Sequence, residues 1–163
     1  MEDIVKVTFY FYRSVFPFYD IRNISAGLIR LCTNSHYNHV SLDIEGYLIY
    51  QARAFYGVDK YKFHHEKPKE SITIEVKNND LLNDSVNFLE SAIGKKYDYS
   101  CILGFVSAKH LQNKNKWFCS ELANEVFNIL TGYVDSNKRT LVSPKDLRNK
   151  ILAFKTGIKY ANS

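Results

Sequence analysis

Apolar residues in the amino-terminal half of the chain occur in short runs or alternate with polar ones, which is the pattern of β-strands. Val5 to Tyr12 is rich in β-branched and aromatic residues and predicts a buried strand. Glu45-Gly46 separates two alternating runs, so we expect a hairpin with a short turn there. The strands predicted in this half are Val5 to Tyr12, His39 to Ile44, Tyr47 to Arg53, Val58 to Phe63 and Ser71 to Val76.

The carboxy-terminal half changes to the three-to-four-residue spacing of amphipathic helices. That spacing predicts a helix from Leu82 to Ile93, which Gly94 ends. The other predicted elements are a helix from Asp98 through Val106, a short helix that opens at Ser143-Pro144, a short helix over Ala26 to Leu31 capped by Ser25, and an edge strand or loose tail from Phe154.

One further helix carries a cysteine at its start. Trp117-Phe118-Cys119 leads into an apolar stripe at positions 122, 126, 129 and 130, and Thr131-Gly132 ends the helix. A thiol on the first turn lies near unsatisfied backbone N–H groups and the positive end of the helix dipole, which favour its thiolate. We therefore expect a lowered pKa for Cys119 and look for a base beside it.

The order of elements is strand, helix, strand meander and then mainly helices, which predicts an α+β fold. We expect an antiparallel sheet or barrel with the helices packed on one side. The sequence contains no internal repeat, low-complexity tract or interdomain linker, so residues 1–163 are predicted to form a single domain. A chain of this length buries roughly 70% of the surface that its unfolded form exposes, and it needs no metal or disulfide for stability.

The net charge and the cysteine content limit the partners and the cellular compartment that we expect for this protein. The net charge is +5 at pH 7, which mildly favours anionic partners, but Lys and Arg are spread along the chain and no nucleic-acid module is recognisable. The chain begins Met-Glu-Asp-Ile without a basic and apolar leader, and it has no apolar run long enough to span a membrane. With three cysteines, we expect reduced thiols in a cytoplasmic compartment.

Five histidines are candidates for the base that the thiol needs. His39 opens a predicted strand, where it shares a face with Ser41 and Asp43, and a strand mounts a base rigidly. A third group should accept a hydrogen bond from the second imidazole nitrogen. If the hairpin turns at Glu45-Gly46, Gln51 on the next strand lies within one step of facing His39.

Four segments of the chain together resemble a known enzyme family. They are Tyr37-Asn38-His39-Val40-Ser41, the polar Gln51 on the strand before Gly57-Val58, Trp117-Phe118-Cys119-Ser120-Glu121-Leu122, and Ser143-Pro144-Lys145-Asp146-Leu147. They resemble the circularly permuted branch of the NlpC-type papain-like cysteine hydrolases, the YiiX-like group, which is distantly similar to the lecithin:retinol acyltransferase-like family. In that branch the histidine strand precedes the cysteine helix, as it does here. The resemblance covers most of the chain, from about Val5 to Leu147.

The resemblance implies a permuted papain-like fold and a thiol hydrolase without a cofactor or metal, either an amidase or peptidase or an esterase. Cys119 would be the nucleophile, His39 the base and Gln51 the group that orients the base. Related sequences usually carry Glu where this chain has Gln51, and an amide stabilises an imidazolium less than a carboxylate does. Tyr37, Tyr97 and Trp117 are candidates for substrate contact, and Glu121 is a candidate partner for the helix dipole.

Three other interpretations remain open from the sequence. The same fold could transfer an acyl group to or from a lipid, or it could be a binding module that retains the cysteine. Cys32, His36 and His39, with His64-His65, have a spacing that suggests metal ligands, but no further Cys or His pair completes a known zinc framework. The expected substrate is a peptide, cell-wall or lipid amide. The lack of an export signal weakens the cell-wall interpretation unless a phage or lysis system delivers the protein.

Overall fold

Five strands of the chain form one antiparallel sheet, in which the fourth strand of the chain is followed by the third, second, first and fifth. The structure is a computed structural model that describes residues 4–13, 27, 29–31, 33–64, 66–77, 79–107, 115–133 and 141–157. Its strands are β1 (Val5–Tyr12), β2 (His39–Ile44), β3 (Leu48–Arg53), β4 (Gly57–Tyr61), β5 (Glu70–Val76), β6 (Lys96–Tyr97) and β7 (Lys116–Trp117). Its helices are α1 (Asn79–Ala92), α2 (Ser100–Ser107), α3 (Cys119–Thr131) and α4 (Pro144–Lys155).

The two faces of the sheet differ in chemistry because side chains alternate along each strand. Phe9 pairs with Leu42 on β2 and with Ile72 on β5, and these apolar side chains share the face that contributes to the hydrophobic core. Tyr12 pairs with His39, so both belong to the opposite face, which is largely polar. The predicted placement of His39 with Ser41 and Asp43, away from Val40 and Leu42, is therefore confirmed.

The helices complete the hydrophobic core. Helix α3 packs against β2, β3 and α1, and α4 packs against α3 and β5. Leu122 and Val126 of α3 are fully buried and join the same hydrophobic cluster as Leu147 of α4. No helix in the described part of the chain is long and apolar enough to cross a membrane.

The α+β class and most predicted elements are confirmed. The hairpin turns close to the predicted place, and Glu45 and Gly46 both have positive φ, 58° and 75°. The predicted register is wrong by one residue, because Ile44 pairs with Leu48 across a three-residue loop, so Gln51 lies two positions rather than one from the residue opposite His39. Ser143 caps α4 by accepting a hydrogen bond from the backbone N–H of Asp146 at 3.1 Å, although this helix is longer than the short one expected. Of the predicted helix over Ala26 to Leu31, positions 27 and 29–31 are described and are helical, whereas positions 25, 26 and 28 lie outside the described residues.

Two details of the sequence prediction are wrong. Phe154 begins neither a strand nor a loose tail, because it lies within α4 and its ring packs edge-on against Phe127 at 5.5 Å. The short parallel pair of β6 and β7 was not predicted, because two-residue strands leave no periodic pattern. This pair sets Tyr97 beside Trp117, two residues before Cys119, and so helps to fix the entry into α3.

Candidate active site

Cys119 is the first residue of α3 and is 1% exposed. The helix begins there because Phe118 has extended backbone and its carbonyl oxygen already accepts from the N–H of Leu122 at 3.0 Å. Glu121 accepts a hydrogen bond from the N–H of Phe118 at 3.3 Å through Oε2. This is the carboxylate half of a capping box, so Glu121 contributes to the helix start as predicted.

The Cys119 sulfur lies close to the start of β2, the strand that opens with His39. Pairing between β2 and β3 begins at Ser41 and Gln51, and the backbone N–H of Val40, one residue earlier, hydrogen-bonds to the sulfur instead. The N–H groups of Ser120 and of Cys119 itself, at the start of α3, also lower the pKa of the thiol. Together with Val40, three backbone N–H groups therefore favour the thiolate of the predicted nucleophile.

His39 and Gln51 are joined as the sequence predicted. Nε2 of His39 lies 2.8 Å from Oε1 of Gln51. Because Ser41 pairs with Gln51, the register sets His39 opposite Arg53, and Gln51 reaches His39 along the diagonal on the same face. An amide oxygen only accepts hydrogen bonds, so Nε2 carries the proton and Nδ1 keeps the lone pair that a base requires.

The predicted lowering of the Cys119 pKa is wrong for the resting protein. Burial raises the pKa of the thiol to about 12, and the nearby Glu121 carboxylate raises it further, against the three backbone N–H donors that lower it. Burial also lowers the pKa of His39, which the hydrogen bond to Gln51 and the charge of Glu66 partly offset. At neutral pH the resting pair is therefore a neutral thiol and a neutral imidazole, because the loss of hydration outweighs the helix dipole.

The three residues predicted to contact substrate occupy different surroundings. Tyr97 and Trp117 are each 6% exposed, and the Tyr97 ring packs on that of Phe118 at 5.6 Å between centroids. Burial raises the pKa of Tyr97, so its phenol keeps its proton. Tyr37 is half-buried and donates to Glu70 on β5. Substrate contact by these residues remains a prediction.

The other candidate bases and acids are exposed, are hydrogen-bonded to other groups, or lie outside the described residues. His36 is exposed, and Nδ1 of His64 lies 2.7 Å from the hydroxyl of Tyr12. Asp43, a possible alternative to Gln51, accepts hydrogen bonds from Tyr10 and from the N–H of Gly46. Glu45 is exposed in the hairpin turn. Three residues that the sequence also raised, Cys32, His65 and His110, lie outside the described part of the chain.

A buried cluster that includes Glu121 of α3 has the residue types of a metal-binding site. The potential ligand atoms of Asp98, Cys101 and Glu121 lie within 4.8 Å of one another, and all three side chains are buried. Cys101 donates to Glu121 at 3.2 Å, and Asp98 accepts from the N–H of Ser100 at 3.0 Å. Burial and both carboxylates raise the pKa of Cys101, so its thiol keeps the proton that it donates to Glu121. These hydrogen bonds are typical of a cluster with a structural role, which here stabilises the start of α3.

Two features of the site were not recognised in the sequence. Nothing in the order of residues shows that the N–H of Val40 turns toward Cys119, because a backbone donor has no sequence signature. Tyr12 lies opposite His39, but the long segment between β1 and β2 hides their register. Comparison of the chain with protein-family models, with curated proteins and with solved structures gave no match.

Proposed function

We propose that this chain is a thiol hydrolase of the permuted papain-like type, which cleaves an amide or ester through an acyl-enzyme on Cys119. The observation that supports the proposal most strongly is the arrangement at the end of β2. The Cys119 sulfur accepts from the N–H of Val40, and the preceding His39 is held by Gln51 at 2.8 Å. A nucleophile next to a base that a third group orients is the usual constellation of covalent catalysis.

Because the Cys119 thiol and the His39 imidazole are both neutral at rest, the thiol proton is transferred during the first step. The Cys119 sulfur attacks the substrate carbonyl carbon while Nδ1 of His39 removes the thiol proton, so an S–C bond forms and the carbonyl π electrons move to oxygen. The N–H groups of Cys119 and Ser120 at the start of α3 are the proposed donors to that oxyanion. Because they are backbone groups, they need no reorganisation during the reaction.

Collapse of the tetrahedral intermediate completes acylation. The C–N or C–O bond breaks, and the leaving group takes the proton from Nδ1 of His39. Water then attacks the thioester, and His39 accepts one of its protons. The S–C bond breaks and releases the acid, and His39 returns the proton to the Cys119 sulfur. Gln51 keeps Nε2 protonated throughout, so the same imidazole nitrogen acts in both halves of the cycle.

Hydrolysis of a panel of amides and esters tests the proposal. We expect Cys119→Ala to abolish hydrolysis while leaving the fold intact, and His39→Ala to reduce it by about 10²-fold or more. His36→Ala is the matched control, because this histidine is exposed and lies three residues before His39. Activity retained in Cys119→Ala or His39→Ala would refute the assigned roles. Added amines or alcohols that divert the product from the acid would identify an acyltransferase.

A binding module is the second candidate, and the raised pKa of Cys119 is the observation that favours it. A thiol kept neutral by burial packs as a small apolar side chain does, without reacting. In that case no acyl group would accumulate on Cys119, and Cys119→Ala would bind the same ligand as the wild type. Transfer of an acyl group to the sulfur would exclude this candidate.

A further inference from the structure

Tyr12 and His39 are direct partners across two neighbouring strands. They are paired in the β1–β2 register, and their rings lie 5.4 Å apart between centroids with an angle of 38° between the planes. Tyr12 is 5% exposed, so this contact is shielded from solvent. The imidazole therefore has an aromatic ring on its β1 side and the amide of Gln51 on its β3 side.

The Tyr12 ring is itself anchored through its hydroxyl. That oxygen lies 2.9 Å from Oγ of Ser41 and 2.7 Å from Nδ1 of His64. Ser41 is fully buried on β2, two residues from His39 and on the same face. Burial raises the pKa of Tyr12 to about 12, so its hydroxyl keeps its proton at neutral pH and donates in one of these bonds while accepting in the other.

One hydrogen bond to Gln51 is a weak restraint on an imidazole. The χ2 torsion of histidine is broad and roughly two-fold, so the ring can flip or tilt about that single contact. Catalytic groups must be held within about 0.5 Å and 10–20° of the productive geometry. A second contact with the imidazole would restrict this rotation, and the Tyr12 ring, packed against it at 5.4 Å between centroids, makes such a contact.

We propose that Tyr12 is a positioning residue, whose ring, anchored by Ser41 and His64, holds the His39 imidazole with Nε2 on Gln51 and Nδ1 available to the thiol. The inference rests on the proposed function for its effect on catalysis, whereas its effect on the imidazole does not depend on any reaction. Tyr12 acts through His39 and has no contact with the reacting atoms in this account.

Two variants of Tyr12 separate the hydroxyl from the ring. Tyr12→Phe keeps the ring and loses the anchor, so we expect kcat to fall by roughly threefold to tenfold with KM unchanged. Tyr12→Leu loses both, so kcat should fall by about 10²-fold. Tyr50→Phe is the matched control, because Tyr50 is a buried sheet tyrosine on the opposite face whose hydroxyl donates to Glu90 at 2.7 Å.

The tautomer and the pKa of the His39 imidazole can both be measured without a substrate. In ¹⁵N spectra of labelled histidine, His39 of the wild type should show the Nε2-protonated tautomer. Its pKa should rise in Tyr12→Leu, where water replaces the ring, and a second tautomer should be populated. The other groups that act on His39, which are Gln51, Arg53 and Glu66, are unchanged in each variant.

The outcomes distinguish this inference from the proposed function. Changed tautomer and pKa in Tyr12→Leu support the positioning role, even if the wild type hydrolyses nothing and the hydrolase proposal fails. An active wild type, together with a folded Tyr12→Leu whose kcat, tautomer and pKa are unchanged, would overturn the positioning role. If Tyr12→Leu does not fold, Tyr12→Phe decides, because unchanged kcat and an unchanged His39 spectrum in that variant contradict the anchored ring.

Discussion

The Nε2 atom of His39 lies 2.8 Å from Oε1 of Gln51, at the end of the β2–β3 ladder where the N–H of Val40 turns to the Cys119 sulfur. A neutral amide thus occupies the position in which a carboxylate would stabilise an imidazolium more strongly. Since Gln51 is 7% exposed, its amide orients the base without adding a buried charge. We expect the proposed chemistry to depend on this contact, and substitutions of Gln51 test it.

Gln51→Leu and Gln51→Glu should have opposite effects. Leucine has a similar size but no acceptor, so the His39 tautomer is no longer fixed and kcat should fall by about 10²-fold. Glutamate keeps the acceptor and adds a negative charge, which should keep or raise the rate and raise the pKa of His39. The acidic limb of the kcat/KM profile should then move to higher pH. A large loss in Gln51→Glu would instead assign Gln51 to substrate contact.

The neutral resting pair predicts an unusual pH dependence for simple alkylation. Because the pKa of Cys119 is raised to about 12, the thiolate fraction increases with pH throughout the accessible range. Alkylation of Cys119 by iodoacetamide should therefore rise steadily from pH 6 to pH 10 without a plateau. The rate of the Cys119→Ala variant is subtracted to correct for the other thiols. A plateau below pH 7 would show a preformed thiolate–imidazolium pair and contradict this description.

The sequence predicted the contact between His39 and Gln51, but it did not predict the ionisation of Cys119. Residue spacing and the resemblance together led to Cys119, His39 and Gln51, because a helix start and a hairpin register are local features. The ionisation of the thiol could not be predicted, because it depends on burial by residues from distant segments. The pairing of Tyr12 with His39 was hidden for the same reason, since long-range strand register leaves no signal in a single chain.

Glu121 should restrain the reactivity of the thiol. Its carboxylate raises the pKa of Cys119, so Glu121→Gln, which keeps an acceptor for the N–H of Phe118, should lower that pKa. We expect alkylation of Cys119 at pH 8 to become roughly tenfold faster, which corresponds to about one pKa unit. Glu75→Gln on the exposed side of β5 is the matched control. An unchanged rate in Glu121→Gln would show that the carboxylate does not act on the thiol.

Gly57 should be far less tolerant of a side chain than Gly46. Both have positive φ, 80° and 75°, but a Cβ at Gly57 would lie 2.3 Å from the carbonyl oxygen of Lys95, whereas a Cβ at Gly46 meets nothing within 4 Å. Gly46→Ala should lower the free energy of unfolding by about 1 kcal/mol, and Gly57→Ala by about 3 kcal/mol. Urea denaturation measures both. Equal losses would mean that β4 and the segment before β6 do not pack as closely as described.

The most direct test of the account is whether an acyl group forms on Cys119 with the help of His39. The protein would be mixed with the activated ester 4-nitrophenyl acetate, quenched at intervals and mapped by peptide mass spectrometry. We predict an acetyl thioester on Cys119 that forms at least about 10²-fold more slowly in His39→Ala. Equal rates in wild type and His39→Ala, or acetylation at other residues alone, would contradict the assignment of Cys119 as a nucleophile activated by His39.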